Sequence, residues 1–131
     1  KAGDPTRARN LHADIVTDRT RALGPDHPDT LISRHAHAYC TEKAGDPTRA
    51  RNLHADIVTD RTRALGPDHP DTLASRHAHA YCTGKGGDPA RARDLYAALV
   101  TDRTRALGPD HPDTLLSREQ FDYWAREAAG A

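Results

Sequence analysis

The sequence predicts an all-α chain, an α-solenoid of antiparallel helix pairs with six helices. Three observations carry this. Residues 1–42 and 43–84 differ at only two positions, Ile32 against Ala74 and Glu42 against Gly84, and residues 85–126 follow in the same register with more changes. Each unit repeats the same two helix-start signals, and no window alternates apolar and polar residues as a strand does. A fixed period of this length marks a stack of supersecondary units, each burying its apolar face on a neighbour. Residues 1–131 therefore form a single repeat domain, with units 1–42, 43–84 and 85–126 and a C-terminal capping tail 127–131.

The first helix of each unit opens on Asp4-Pro5, Asp46-Pro47 or Asp88-Pro89. Asp caps the free backbone N–H groups, and Pro suits the first helical position because its missing donor would be unused there. Ala8, Leu11, His12, Ile15, Arg19, Ala22 and Leu23 then share one face, and Gly24 with Pro25 ends the run. Long helices are expected over about 4–23, 46–65 and 88–107. The second signal is Asp26-His27-Pro28-Asp29, where Asp26 or His27 caps and Asp29 favours the positive helix end. Leu31, Arg34, Ala38 and Tyr39 carry the shorter helix to about Lys43, and Gly45 stops it. Both connections are short, so successive helices lie antiparallel.

Composition narrows the function. The 19 Lys and Arg balance 19 Asp and Glu, which argues against a nucleic-acid binder working through a bulk positive field and against an acidic tail protein. Leu, Ile, Val and Phe supply only 18 residues, but 22 Ala let helices approach closely enough to close a core. No apolar run is long enough to span a membrane. Lys1 stands where Met is expected, pointing to a piece of a longer chain.

The short helix ending at Ala44-Gly45-Asp46 is followed by Ala50, an aromatic-type slot at His54 and an apolar slot at Ile57; the third unit reads Ala92, Tyr96 and Leu99 there. On these residues the chain resembles the tetratricopeptide repeat. The family period is about 34 residues. Here the long helix is extended, and Leu65-Gly66-Pro67-Asp68-His69-Pro70-Asp71 joins it to the next short helix, which is similar to the 42-residue version of kinesin light chains and of bacterial, especially actinobacterial, repeat proteins. The Arg-, Ala- and Asp-rich composition suits such a source. His37 and His79 stand where the family usually has a large apolar residue, and Phe121 restores it. The resemblance implies a right-handed superhelix with a concave groove, binding of proteins or peptides and no catalysis. A cytoplasmic location is expected.

The resemblance also implies that the inner wall comes from the short helices. By helical register the exposed inner line is Ile32, His35, Tyr39 and Glu42, then Ala74, His77 and Tyr81, then Leu116, Glu119 and Tyr123. The expected groove residues are His35, Tyr39, His77, Tyr81, Glu119 and Tyr123, since Tyr and His combine apolar area with hydrogen bonding. The main alternative is a structural, self-assembling array without a heterologous ligand. Metal binding ranks third. His35 and His37 are two apart on a helix and point away from each other; His37 and Cys40 share a face, but two ligands do not make a structural zinc site. No metal or cofactor is expected, and Cys40 and Cys82 are expected as free thiols. The Asp-His-Pro-Asp connectors lack a nearby nucleophile and read as caps, not acid–base machinery.

Three structural expectations follow. Arg19, Arg61 and Arg103 sit mid-stripe and should pair with a connector carboxylate such as Asp29 or Asp71. Phe121 and Trp124, in the altered Glu119-Gln120-Phe121-Asp122-Tyr123-Trp124 segment, should cover the preceding long helix as a terminal cap. The first long helix lacks a short helix before it, so Ala8, Leu11, Ile15 and Ala22 lose cover, which implies self-association through residues 4–23, end to end with another chain's last helix.

Overall fold

A computed structural model describes residues 4–130. Those residues form six α-helices and no strand: α1 (Pro5–Leu23), α2 (Pro28–Lys43), α3 (Pro47–Leu65), α4 (Pro70–Lys85), α5 (Pro89–Leu107) and α6 (Pro112–Gly130). The expected boundaries hold because the caps form. Asp46 accepts a 3.1 Å hydrogen bond from the Arg49 N–H, with Pro47 at the first helical position. The imidazole Nδ1 of His69 accepts from the Asp71 N–H at 3.0 Å, so His is the cap of the short helices and the preceding Asp is not. Gly66 ends α3 at φ 96°, where a side chain would be strained. Gly45 ends α2 at φ 98°, its N–H donating to the Glu42 carbonyl at 3.0 Å while the Asp46 N–H closes on Thr41 at 3.2 Å. The tail continues α6 through Gly130.

Each helix packs on its predecessor, and α2 also touches α4. The short helices α2 and α4 therefore meet directly, and we call the side of the stack that carries α2, α4 and α6 its inner face. Ala38, Ala50, Ala80 and Ala92 are fully buried, and these methyl-sized contacts let the helices close on Leu31, Ile57, Leu73 and Leu99. The last junction is the most apolar: Leu73, Ala80, Ala92, Tyr96, Leu99 and Trp124 form one cluster, with Tyr81, Leu95 and Phe121 packed on it.

Polar contacts repeat with the sequence. Arg61 donates to the Ser75 hydroxyl at 2.9 Å and to the Asp71 backbone carbonyl at 3.3 Å; Arg103 does the same with Ser117 and Asp113. Arg19 likewise reaches Ser33 at 2.7 Å and the Asp29 carbonyl at 3.1 Å. The expected carboxylate partner is therefore corrected. The guanidinium lies under the first turn of the following helix, where it meets a hydroxyl and a main-chain oxygen, while Asp29 and Asp71 remain exposed. Carboxylate pairs lock the units elsewhere. Arg34 meets Asp60 at 2.7 Å and Arg76 meets Asp102 at 2.6 Å; Arg63 meets Asp26 at 2.6 Å and Arg105 meets Asp68 at 2.7 Å. Burial works to raise the Asp60 and Asp102 carboxyls, but the two arginines bonded to each hold them below the usual carboxylate range.

Phe121 and Trp124 cover the preceding long helix, as expected. Trp124 is 4% exposed and Phe121 packs against the last cluster. The seat for the indole is Gly84: a Cβ added there would lie 2.6 Å from Trp124 ring carbons. In the unit before, the same two positions carry Glu42 and Cys82. The two junctions thus solve one packing problem with different pairs.

A second such contrast is His54 against Tyr96. Both are buried and meet the preceding short helix edge to face, His54 on His35 with centroids 5.0 Å apart and Tyr96 on His77 at 5.2 Å. Only Tyr96 reaches a backbone acceptor, its hydroxyl donating to the His77 carbonyl at 3.2 Å, whereas the Nδ1 of His54 is buried without a partner. His54→Tyr should place its hydroxyl near the His35 carbonyl. The variant is expected to gain about 1 kcal/mol, read as a higher urea midpoint at pH 7. An unchanged or lower midpoint would show that the slot at the first junction does not match that at the second.

Candidate binding groove

The inner face carries a cavity of about 230 Å³ between α2 and α4, lined by Tyr39, Glu42, Lys43, His54, His77, Ala78, Tyr81, Cys82 and Gln120. Helical spacing explains its walls. Tyr39 and Lys43 are one turn apart on α2, as are His77 and Tyr81 on α4, so each pair stacks along one edge. The long helix α3, passing behind, supplies His54 as the back of the cavity, and α6 contributes Gln120 at one side. Tyr39 is 54% exposed, its ring under the Lys43 ammonium at 5.3 Å; Lys85 lies over Tyr81 at 5.9 Å. Glu42 approaches Lys43 at 3.7 Å. The Glu42 charge and the Tyr39 hydroxyl side hold the Lys43 ammonium above its ordinary range.

Of the expected groove residues, this cavity brings together Tyr39, His77 and Tyr81. His35 packs into the junction against His54, and burial, then the Arg61 charge, lowers its basicity despite an opposing influence from Asp71. His77 serves both places: it lines the cavity and stacks on Tyr96, and burial with the Arg103 charge lowers its pKa to about 4, against the opposing Asp113. Glu119 and Tyr123 lie exposed on α6 outside this cavity, Tyr123 standing edge to face on Trp124 at 4.7 Å. Ile32, Ala74 and Leu116 are exposed along the same row of short helices. Sequence reasoning missed Lys43, His54, Ala78, Cys82 and Gln120. Lys43 was signalled by its place one turn after Tyr39. His54 was not, because a long-helix residue reaches the inner face only where two short helices part.

The arrangement suits binding more than chemistry. Burial, then the Glu42 charge, pushes the Cys82 thiol up to about 12, so it stays protonated and a poor nucleophile. Cys40 and Cys82 are unpaired. The connector imidazoles His27, His69 and His111 all spend Nδ1 on helix caps. Among the described residues, no three His, Cys, Asp or Glu side chains come together as a metal site, and no helix is long and apolar enough to cross a membrane. What the cavity offers is two aromatic faces, a largely apolar lining and an ammonium–carboxylate pair, Lys43 with Glu42.

Comparison with known proteins agrees with the helical-repeat fold. The sequence description of one family, "Tetratricopeptide repeat", matches residues 1–29, 41–71 and 72–113. Among solved structures, the nearly identical TPR-like repeats described for a kinesin light chain of Podosopora anserina superpose with a TM-score of 0.87 at 26% identity, over 98% of this chain and 60% of that one. A single-substitution variant of those repeats gives the same figures. The chain thus spans 60% of the length of these structures. No curated protein matches the chain in sequence.

Proposed function

The chain belongs to the tetratricopeptide-repeat family, and from that premise we propose that it is a non-catalytic scaffold binding a peptide segment of a partner protein along its short-helix groove. Repeats of this family generally mediate protein–protein interaction. The observation that supports this site is the cavity between Tyr39 and Tyr81, open on the inner face and largely apolar, with Lys43 and Glu42 at its rim. His77 forms part of its wall, and the neighbouring Glu119 and Tyr123 extend the same row toward α6. His35 contributes by holding His54 behind the cavity. The same reading places the chain in the cytoplasm, where the unpaired Cys40 and Cys82 stay reduced.

The test uses a random peptide-display library selected on the whole chain. Peptides retained by the chain should lose at least tenfold in affinity on Tyr39→Ala and on Tyr81→Ala, about 1.4 kcal/mol each or more. Leu116→Ala, on the same row but outside the cavity, should leave affinity unchanged. Equal affinity for all variants, or no retained peptide, would overturn the groove reading and favour a structural array.

A further inference from the structure

The long-helix side of the stack carries a second groove. α1 and α3 flank it, and α2, packed on both, forms its floor. One end is a polar cavity of about 330 Å³ lined by Arg9, Asn10, Ala13, His37, Asp46 and Arg49. A more apolar cavity of about 270 Å³ adjoins it, sharing Ala13 and His37 and continuing along Val16, Leu53 and Ile57. His37 is the residue that stands where the repeat family usually has a large apolar one. Half-buried there, an imidazole needs a hydrogen-bond partner. Among the described residues its ring finds none: His37 bonds only through its carbonyl, which accepts from the Thr41 hydroxyl at 2.8 Å, and His79 repeats this with Thr83.

The cations beside the ring are also unspent. Arg34, Arg63, Arg76 and Arg105 each hold a carboxylate of another unit. Arg9 instead donates to the neutral Asn10 amide oxygen at 3.4 Å, and the Arg49 side chain is exposed; among the described residues neither forms an ion pair. Burial, then the charges of Arg49, Arg9 and His12, lowers the basicity of His37, so the ring is a neutral donor between two guanidiniums. Asp46 is the acid in this wall, and its Oδ1 accepts from the Arg49 N–H at 3.1 Å as the cap of α3. Two guanidiniums against one carboxylate leave the cavity with a net positive charge. Arg51, Asn52, His79 and Arg91 hold the same places at the next junction, where burial, then Arg91 and Arg51, lowers the His79 basicity. The third unit lacks the feature: Asp94 replaces the Asn and takes Arg93 at 3.0 Å, and Phe121 replaces the imidazole.

We propose that the cavity at Arg9, His37 and Arg49, with its repeat at Arg51, His79 and Arg91, binds a phosphorylated serine or threonine side chain of a partner protein. Guanidinium forks from two helices and an imidazole N–H approach an oxyanion from three sides, which matches the three terminal oxygens of a phosphate monoester; a planar carboxylate is satisfied by one fork. Clustered arginines recognise phosphorylated side chains in this way. The adjoining apolar trough assigns the phosphate to a polypeptide, because it offers a free ion nothing and receives the apolar neighbour of a phosphorylated residue. The site is separate from the Tyr39–Tyr81 cavity and does not depend on ligand binding there.

The experiment presents the whole chain with a peptide library carrying a fixed phosphoserine between degenerate positions, and with the same library carrying serine. The phosphoserine pool should be retained about tenfold or more over the serine pool, with apolar residues enriched beside the phosphoserine. On titration of a retained phosphopeptide, the imidazole NMR signals of both His37 and His79 should shift, and the Tyr39 and Tyr81 rings should not. Arg49→Gln should weaken the His37 response about tenfold and leave that of His79, and Arg91→Gln should do the reverse, so each variant carries its own control for folding. Asp46→Asn, which keeps a capping side chain and removes the negative charge, should tighten the first site. Equal retention of the serine pool, a His37 response unchanged by Arg49→Gln, or weaker binding in Asp46→Asn would overturn the proposal. So would inorganic phosphate alone saturating His37 as tightly as the phosphopeptide, since the site would then hold an ion and not a side chain.

Discussion

Gly84→Glu is expected to destabilise the chain by about 3 kcal/mol or more, measured as a fall in the denaturant midpoint with an unchanged slope. A Cβ at this position meets the Trp124 ring at 2.6 Å, and the obstacle is a rigid indole seated in the last cluster. The ring must leave its site, which forfeits burial worth about 3–5 kcal/mol for a large aromatic. The gain in helix propensity on replacing Gly, about 1 kcal/mol or less, is too small to offset this. The same substitution supplies its own control. Glu42 and Cys82 occupy the equivalent positions at the first junction without conflict, so Gly84→Glu combined with Trp124→Cys should recover part of the loss. Cys82→Trp should in turn be destabilising against Glu42 and relieved by Glu42→Gly. Additive losses in either double variant would show that the two positions do not share a seat.

Acid should produce the second large effect. Burial, followed by the positive charges of His35, His79 and Arg61, lowers the His54 pKa from about 6.5 to about 3, and His77 is lowered to about 4. His35, His37 and His79 shift the same way, each chiefly through burial. A folded-state pKa below the unfolded value means that the unfolded chain takes up protons first as the pH falls. The stability is complete above about pH 6.5 and is lost progressively through pH 6 to 4, as the unfolded state is protonated and the folded state is not. One pH unit in this window costs about 1.4 kcal/mol per such histidine. At pH 5, His54 alone accounts for about 2 kcal/mol, and His77 adds an amount of the same order. The paired Asp60 and Asp102, held below the usual range, lose their contribution only at lower pH, after the histidines. Urea unfolding at pH 7, 6 and 5 should show the decline, and His54→Tyr should flatten it. A midpoint constant from pH 7 to 5 would mean that the buried histidines take up protons in the folded state.

The helices were legible because their signals are local. Asp-Pro, His-Pro and Gly lie within a few residues of the ends they make, and the 42-residue period shows which faces stack. Contacts between units were less legible. Glu42 against Gly84 and Cys82 against Trp124 stand out in the sequence, but nothing in helical periodicity says that Gly84 and Trp124, forty positions apart, share one volume. The Arg61 contact failed for a related reason: charge alone favours Asp71, whereas the buried stem delivers the guanidinium to Ser75 and a carbonyl. In the groove, Tyr39 and Tyr81 followed from register, while His35 did not, because its turn of α2 faces the junction with α3.

The central claim is that ligands enter between Tyr39 and Tyr81. Backbone and aromatic NMR shifts of the isotope-labelled chain, followed while a library-selected peptide is titrated in, test it most directly. The account predicts saturable changes concentrated at Tyr39, Lys43, His77 and Tyr81, with the α1 face unaffected. Changes confined to Leu11 and Ile15 of α1, or to the outer face of α6, would contradict it.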